Sequence, residues 1–522
     1  MWKSKTISFY TEHRWLTRAA IMSLLPLLCC FAACCIQGHS IGEIYLPSSE
    51  WNDELCYYKQ VESILDYGYP LGYYGYNESH ALKLSFSAWS PVLFLPWVLW
   101  GTVFGWNLMS SIYCNIAFMM LAMFLFVWLS RPTNRQLVVL TALFCVTTHI
   151  TRYMLSGMPE VTCFGMLIIF YGLLISFLEY AQASWKLVLM IVLSSVMTLM
   201  RPYLALFLVL ALFLWIRHER SFKSIACALL ILISVMGCYA VISHYLSAEY
   251  LESLYETGWI SIFLRDGILA GCKNVFGTFL HQGKEFLTRA MAGIRNGLPD
   301  GLYFAGFLAM LLVLIYQSIV SVYKKKWTSF ILYGYLSVSS LAMLSALLLM
   351  YVLFDGGRHL MTFIIAGIFL VSRIESRFYK EAVFIGIVFL YLFTNQAKYR
   401  DDYVIPYVTP ERKTQVAYWE EALKEGMELT KSNTPNYENV VIWVLQDVVQ
   451  EKEQMMKWQY LYAVPSGIGL SCCQGDYVAD NLSALRSRYL ATPAGGRIDH
   501  MCQAQGYREL GRTDDVVVYE RY

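Results

Sequence analysis

Charge is what this sequence is short of. Only 15% of its 522 residues are Asp, Glu, Lys or Arg and 57% are hydrophobic, whereas a soluble domain carries roughly a quarter charged residues. That balance excludes an ordinary soluble domain and points to an integral membrane protein. The charges present nearly cancel, for a net +2, so no overall field would gather nucleic acid. A Cys-x-x-Cys pair and the Cys/His spacing of a zinc site are also missing. Most cysteines, among them Cys29, Cys30, Cys34, Cys35, Cys114, Cys145, Cys163, Cys227 and Cys238, sit in apolar runs and act as small hydrophobes. Cys472, Cys473 and Cys502 lie in a polar C-terminal region, where an extracytoplasmic location would permit a disulfide. There is no internal repeat, no low-complexity tract and no inverted-repeat signature of a secondary transporter.

What is there instead is a succession of apolar runs able to cross about 30 Å of hydrocarbon. They are expected at 18–37, 107–130, 136–154, 160–177, 186–200, 203–215, 224–244, 301–323, 329–354, 358–371 and 381–395. The first follows Lys3, Lys5, Arg14 and Arg18, is long, and has no small-residue cleavage site after it. It reads as a retained anchor rather than a signal peptide. The run 89–104 is apolar but interrupted by Pro91 and Pro96 and closed by Gly101 and Gly105. Read as interfacial or re-entrant, it leaves Arg131 and Arg135, Lys186, Arg217, Arg220 and Lys223, Lys324–Lys326, and Arg373, Arg377 and Lys380 all on the cytoplasmic side. The fold class is therefore mainly α, with about eleven spans, a cytoplasmic N-terminus and an extracytoplasmic C-terminus.

This topology exposes a first outer loop at 38–106, a short loop at 151–160, a stretch at 245–300 that reads as interfacial amphipathic helices, and a tail. The expected domains are a transmembrane part, 1–396, and a small α/β part, 397–522. In the tail, 439–445 and 515–520 read as strands and 447–460 as a helix.

The first outer loop holds Trp51-Asn52-Asp53-Glu54, two adjacent carboxylates just beyond a membrane span, followed by an aromatic, turn-rich stretch suited to lining a sugar site. Such a pair is either a solvated cap for a following helix or chemistry. A carboxylate can deprotonate an acceptor hydroxyl or hold a cation against a departing phosphate. Glu160 opens a span on the same face, as a helix N-terminal acid or as a second functional carboxylate. Arg358 and His359 follow Asp355-Gly356-Gly357. They are an interfacial pair or a phosphate clamp, since guanidinium offers two donors to a phosphate. Arg201, before Pro202, carries the same argument, as does Arg152. His80, near Glu78, is a solvated loop histidine or a sugar or phosphate contact.

The acid pair after the first span, the aromatic Gly-rich stretch and the Pro-containing semi-embedded segment from Trp89 together resemble the GT-C superfamily of membrane glycosyltransferases. That superfamily includes protein mannosyltransferases, oligosaccharyltransferases and aminoarabinose transferases. The resemblance covers the N-terminal third by motif and the remainder by topology. It implies an extracytoplasmic site where a sugar leaves a polyprenyl-phosphate or polyprenyl-diphosphate donor, usually with inversion. It implies that Asp53 is the first-loop base or metal ligand with Glu54 as neighbour, that Glu160 is the second-loop acid, and that Arg358 lies near the donor phosphate. There His359 replaces the usual aromatic. A divalent cation (Mg or Mn) on Asp53 and Glu160 is part of this expectation. No Trp-Trp-Asp signature occurs in the tail, which argues against the oligosaccharyltransferase branch.

The expectation is thus a glycosyltransferase of a bacterial plasma membrane. It would act on a lipid-linked sugar and a glycan, lipid or protein acceptor, in contact with membrane lipid and not with nucleic acid. A flippase of lipid-linked glycans and a non-catalytic scaffold are the alternatives. A flippase would carry ionisable groups at mid-membrane, whereas the polar candidates here gather at one face.

Overall fold

The computed structural model describes residues 14–47, 52–70, 75–78, 90–246, 258–297, 299–350, 357–399, 407–432 and 436–521. Helices α1 (Arg14–Ser23) and α2 (Leu25–Ile36) form the first apolar span. After them come α3 (Asn52–Tyr67), α4 (Leu95–Phe104), α5 (Ser110–Ser130), α6 (Asn134–Val146), α7 (Thr148–Met154), α8 (Glu160–Glu179), α9 (Ser184–Met200), α10 (Ala205–Glu219) and α11 (Phe222–Leu246). The stretch expected to be amphipathic contains α12 (Gly258–Asp266) and α13 (Ile268–Asn296). The apolar series then resumes with α14 (Pro299–Tyr323), α15 (Trp327–Met350), α16 (Gly357–Val371) and α17 (Lys380–Tyr399).

Each of the eleven expected segments is mainly helical over its described residues, but they are not eleven alike. Eight helices among the described residues are long and apolar enough to cross a membrane, which makes this a multi-pass membrane protein. Helices α6 and α7 form a further pair bent by 68°. The break is at Thr147, whose backbone is non-helical and whose hydroxyl bonds back to the Leu143 carbonyl at 2.7 Å. Helices α9 and α16 are apolar but only 17 and 15 residues long. The Pro-rich segment Pro91–Phe104 is shorter still, about 21 Å at helical rise, which does not reach across the bilayer. Trp97 pins it to α5 through Asn115 (3.0 Å), and Asn115 in turn donates to the carbonyls of Ser156 and Met158, each at 3.1 Å.

Three of the basic segments expected on one side meet in the structure. Arg14, Arg18, Arg131 and Arg135 line one hollow with Glu375 and Tyr379. Arg373 pairs with Glu179 at 2.7 Å and donates to the Ser130 carbonyl at 2.9 Å.

The tail begins with α18 (Pro410–Met427) and builds a six-stranded sheet in the order β1-β5-β2-β6-β8-β7. Its strands are β2 (Val440–Val444), β5 (Gly469–Cys473), β6 (Tyr489–Pro493), β7 (Arg508–Arg512) and β8 (Val516–Glu520), with the edge strand β1 (Gly75–Tyr76) coming from the first outer loop. β1 runs parallel to β5, with Gly75 opposite Ser471. Helices α19 (Gly475–Asn481) and α20 (Arg497–Ala504) cover the outer face. The strands expected at both ends of the tail are present. The helix expected at 447–460 is not: β3 (Gln446–Val449) and β4 (Lys452–Met455) form a hairpin there, followed by the 3-10 turn Trp458–Ala463. Gln450 and Glu451 both take positive φ, the geometry of a tight two-residue hairpin turn. Asp447 accepts bonds from the amides of Val448 and Ile498, both at 2.8 Å, which fixes an extended start.

Nor is there a disulfide: all 14 cysteines are free thiols. Side chains alternate across a strand. Cys472 accordingly joins the core that continues into the membrane part, while Cys473 faces the outer core with Cys502. That inner face, with Val441, Trp443, Leu470, Tyr489 and Val518, is continuous with the apolar interior of the helical part.

Candidate active site

The acid pair opens α3, where carboxylates are favoured by the helix dipole. The two side chains then part. Asp53 is half-buried, while Glu54 is fully buried. Glu54 Oε2 accepts the backbone N–H of Gly157 at 2.7 Å, tying α3 to the short second outer loop. Position 157 must be glycine, because a Cβ there would lie 2.9 Å from that oxygen and 3.2 Å from the Glu54 Cβ.

Glu160 is the first residue of α8. Its Oε1 receives Arg201 Nη2 at 2.7 Å, and Arg201 Nη1 lies 3.0 Å from His359 Nδ1. All three are buried, Arg201 completely. Arg201 ends α9 in extended backbone (φ −145°, ψ 114°), as a residue before proline must. That conformation carries its side chain toward α8 and α16. Guanidinium can only donate, so His359 Nδ1 accepts and the imidazole carries its proton on Nε2 in this contact. Tyr203 meets the His359 ring edge-on at 5.8 Å. A buried guanidinium survives only when paired, and Glu160 supplies the pairing. The second Glu160 oxygen, Oε2, is buried with no hydrogen-bond partner among the described residues.

The structure therefore joins Glu160, Arg201 and His359 across three segments far apart in sequence. Arg152 is elsewhere. It lies half-buried on α7, close to Tyr407, where the first outer loop meets the chain leading into the tail. There Ile44 pairs with Tyr407, and His39 stacks on its ring at 3.9 Å. Arg358 falls in the first turn of α16, but its side chain is outside the described residues, as is all of His80. Glu78 is an anchor. It accepts bonds from the amides of Arg486 (2.9 Å) and Ser487 (2.6 Å) and from the Ser487 hydroxyl (2.7 Å), locking the first outer loop to the sheet.

For the cation expected on Asp53 and Glu160, the Glu160 oxygen left open by Arg201 is Oε2. A guanidinium already occupies one Glu160 oxygen at 2.7 Å. Among the described residues, no three His, Cys, Asp or Glu side chains group as ligands.

Sequence reasoning missed Lys59 and Tyr462. Lys59 Nζ is buried and donates to Glu62 (2.8 Å) and to the carbonyls of Tyr462 (2.8 Å) and Val464, so the tail is fastened to the helix that carries Asp53. The Tyr462 ring packs edge-on to Tyr58 at 5.1 Å, and its hydroxyl is buried without a hydrogen-bond partner among the described residues. A lysine among Tyr57, Tyr58, Gln60 and Val61 was the available signal.

No protein-family model matches this sequence, and no curated protein does. Among solved structures, the chain is similar to the Archaeoglobus fulgidus oligosaccharyltransferase tethered with an acceptor peptide. The TM-score is 0.51 at 10% identity, over 93% of this chain and 70% of that one. AglB of the same organism, in complex with an inhibitory peptide and a dolichol-phosphate, gives 0.47 at 12% identity, over 96% and 73%. ArnT from Cupriavidus metallidurans, bound to undecaprenyl phosphate, gives 0.39 at 10% identity, over 97% and 98%. The likeness to the oligosaccharyltransferase is one of fold, and the expected architecture, a polytopic helical part with a small α/β tail, is the one found.

Proposed function

We propose that this protein is a membrane glycosyltransferase that moves a sugar from a polyprenyl-linked phosphate or diphosphate donor to a cell-envelope glycan, lipid or protein. The site faces the extracytoplasmic side, and the N-terminus is cytoplasmic. The observation that carries this reading is the gathering of polar groups at one end of the helical part. Asp53 and Glu54 open α3, Glu54 is bonded to the second outer loop, and that loop leads directly into the Glu160–Arg201–His359 group.

In the proposed reaction, the acceptor hydroxyl passes its proton to the Asp53 carboxylate as its oxygen bonds to the anomeric carbon. The bond from that carbon to the phosphate oxygen breaks, and its electron pair leaves with the phosphate, inverting the centre. Glu54 positions α3. Arg358 receives the phosphate directly. Arg201, held by Glu160, orients His359 toward the leaving group. The mechanism needs no cation on Asp53 and Glu160.

The test is transfer of radiolabelled sugar from a panel of polyprenyl-phosphate donors to membrane extract, with and without chelator, by purified wild type and Asp53→Asn. Loss of a general base costs about 10²–10⁴ in rate. Wild-type turnover by Asp53→Asn refutes the assignment. Donor binding without transfer by the wild type favours a flippase.

A further inference from the structure

Helix α13 is 29 residues long, yet it is not among the helices apolar enough to cross a membrane. One face is used internally. Phe286 lies 4.6 Å from Phe304, centroid to centroid, and Gly293 is packed against the Gly301 backbone. Roughly a quarter-turn round the helix, Leu269, Phe276, Leu280, Leu287 and Met291 are exposed. Along the far flank of this apolar row stand Lys273, Lys284 and Arg295, also exposed.

Both rows repeat with a spacing of eleven. Leu269, Leu280 and Met291 are one set, Phe276 and Leu287 a second, and Lys273, Lys284 and Arg295 a third. Eleven residues make three turns with little drift, about 3.67 per turn, so the rows run nearly straight. The cations fall about 16 Å apart at helical rise. The helix has a single acidic residue, Glu285, on the opposite flank and paired with Arg289 at 3.0 Å. Gly283 and Ala292 hollow the exposed face into a groove walled by Leu280, Lys284, Leu287 and Arg295.

We propose that this face of α13 binds anionic phospholipids of the surrounding bilayer, with acyl chains along the apolar row and headgroup phosphates along the cation row. A water-facing helix would not leave five large apolar side chains exposed in line. A spanning helix would not carry a cation on every third turn. A row of one sign beside an apolar row is the form of a helix lying in a charged interface. The cations extend over about 33 Å at helical rise, which several headgroups match and a single carrier phosphate does not. The assignment is therefore bulk lipid rather than the sugar donor, and it stands independently of the proposed transfer.

The test uses the full-length protein reconstituted in vesicles of equal phosphatidylglycerol and phosphatidylcholine. Lipids retained after mild extraction are counted by native mass spectrometry. Wild type should keep phosphatidylglycerol in preference, and less of it as salt rises. The K273Q/K284Q/R295Q variant should lose that preference, by roughly fivefold per cation. Arg289→Gln should retain it, as should K273R/K284R, which separates lost charge from misfolding. No phosphatidylglycerol preference in the wild type, or an unchanged one in the triple variant, overturns the proposal. So does burial of this face in a dimer, detected as a shift to monomer on Leu280→Arg.

Discussion

Glu54 is held in place by a glycine. The 2.7 Å bond from the Gly157 amide leaves no room for a methyl group. Gly157→Ala should therefore break the tie between α3 and the second loop, at a cost of about 1–3 kcal/mol for a buried group left unsatisfied. Transfer should fall sharply while expression persists, and Gly157→Ser should be no better. Thermal melts and sugar transfer measured in parallel check this. The acid pair was legible from residue type and position, but its division of labour was not. Adjacent helix positions point 100° apart, and only the packed structure shows which carboxylate is turned inward. The Arg201–His359 contact was equally hidden, because the two residues are 158 apart in sequence.

Between elements, the decisive joint is α3 against the 3-10 turn Trp458–Ala463. Lys59→Met keeps the length of the side chain but removes the donor to the Tyr462 and Val464 carbonyls. Each deserted carbonyl costs about 1–3 kcal/mol. The tail should then become more sensitive to protease while the helical part remains intact, and transfer should decline. The tail should also be acid-labile. Burial alone would raise the Asp499 carboxyl, but Arg512, Tyr519 and the Gly495 amide hold it below its ordinary 3.8. Burial likewise acts on Asp515, and Lys457, Tyr460 and Arg412 outweigh it. Both acids are lowered on folding, so their contribution is complete above that value and is lost as pH falls through the depressed ones. Acid unfolding of the tail should therefore set in below about pH 4, and Asp499→Asn should remove part of the pH dependence. At this scale strand periodicity revealed the sheet, but the 447–460 segment misled. Its helix-like spacing lost to a turn whose two residues both adopt positive φ.

For the molecule as a whole, the pairing of β1 with β5 places the first outer loop and the tail on one side of the membrane. The chain between them must cross an even number of times. Seven of the eight full-length helices follow that loop, so these alone cannot be the complete set of crossings. Adding the bent pair gives an even number, and adding α9 and α16 as well gives another. Because the Pro-rich segment is too short to cross, reporter fusions just after residue 107 and at the C-terminus should report the same side of the membrane, and opposite sides would refute the shared sheet. Hydropathy and loop charge made the helical layout readable. What they could not convey was that the tail takes a strand from near the other end of the chain, since a two-residue strand leaves no periodicity to detect.

That borrowed strand imposes a waiting time on biosynthesis. The Glu78 amide and the Ser471 hydroxyl it donates to are 393 residues apart, and chains are made at about 5–20 residues per second. At that rate the first outer loop emerges roughly 20–80 s before the strand it must pair with exists. Throughout that interval its Glu78 carboxylate, and the polar backbone beside it, have only water or a chaperone to satisfy them.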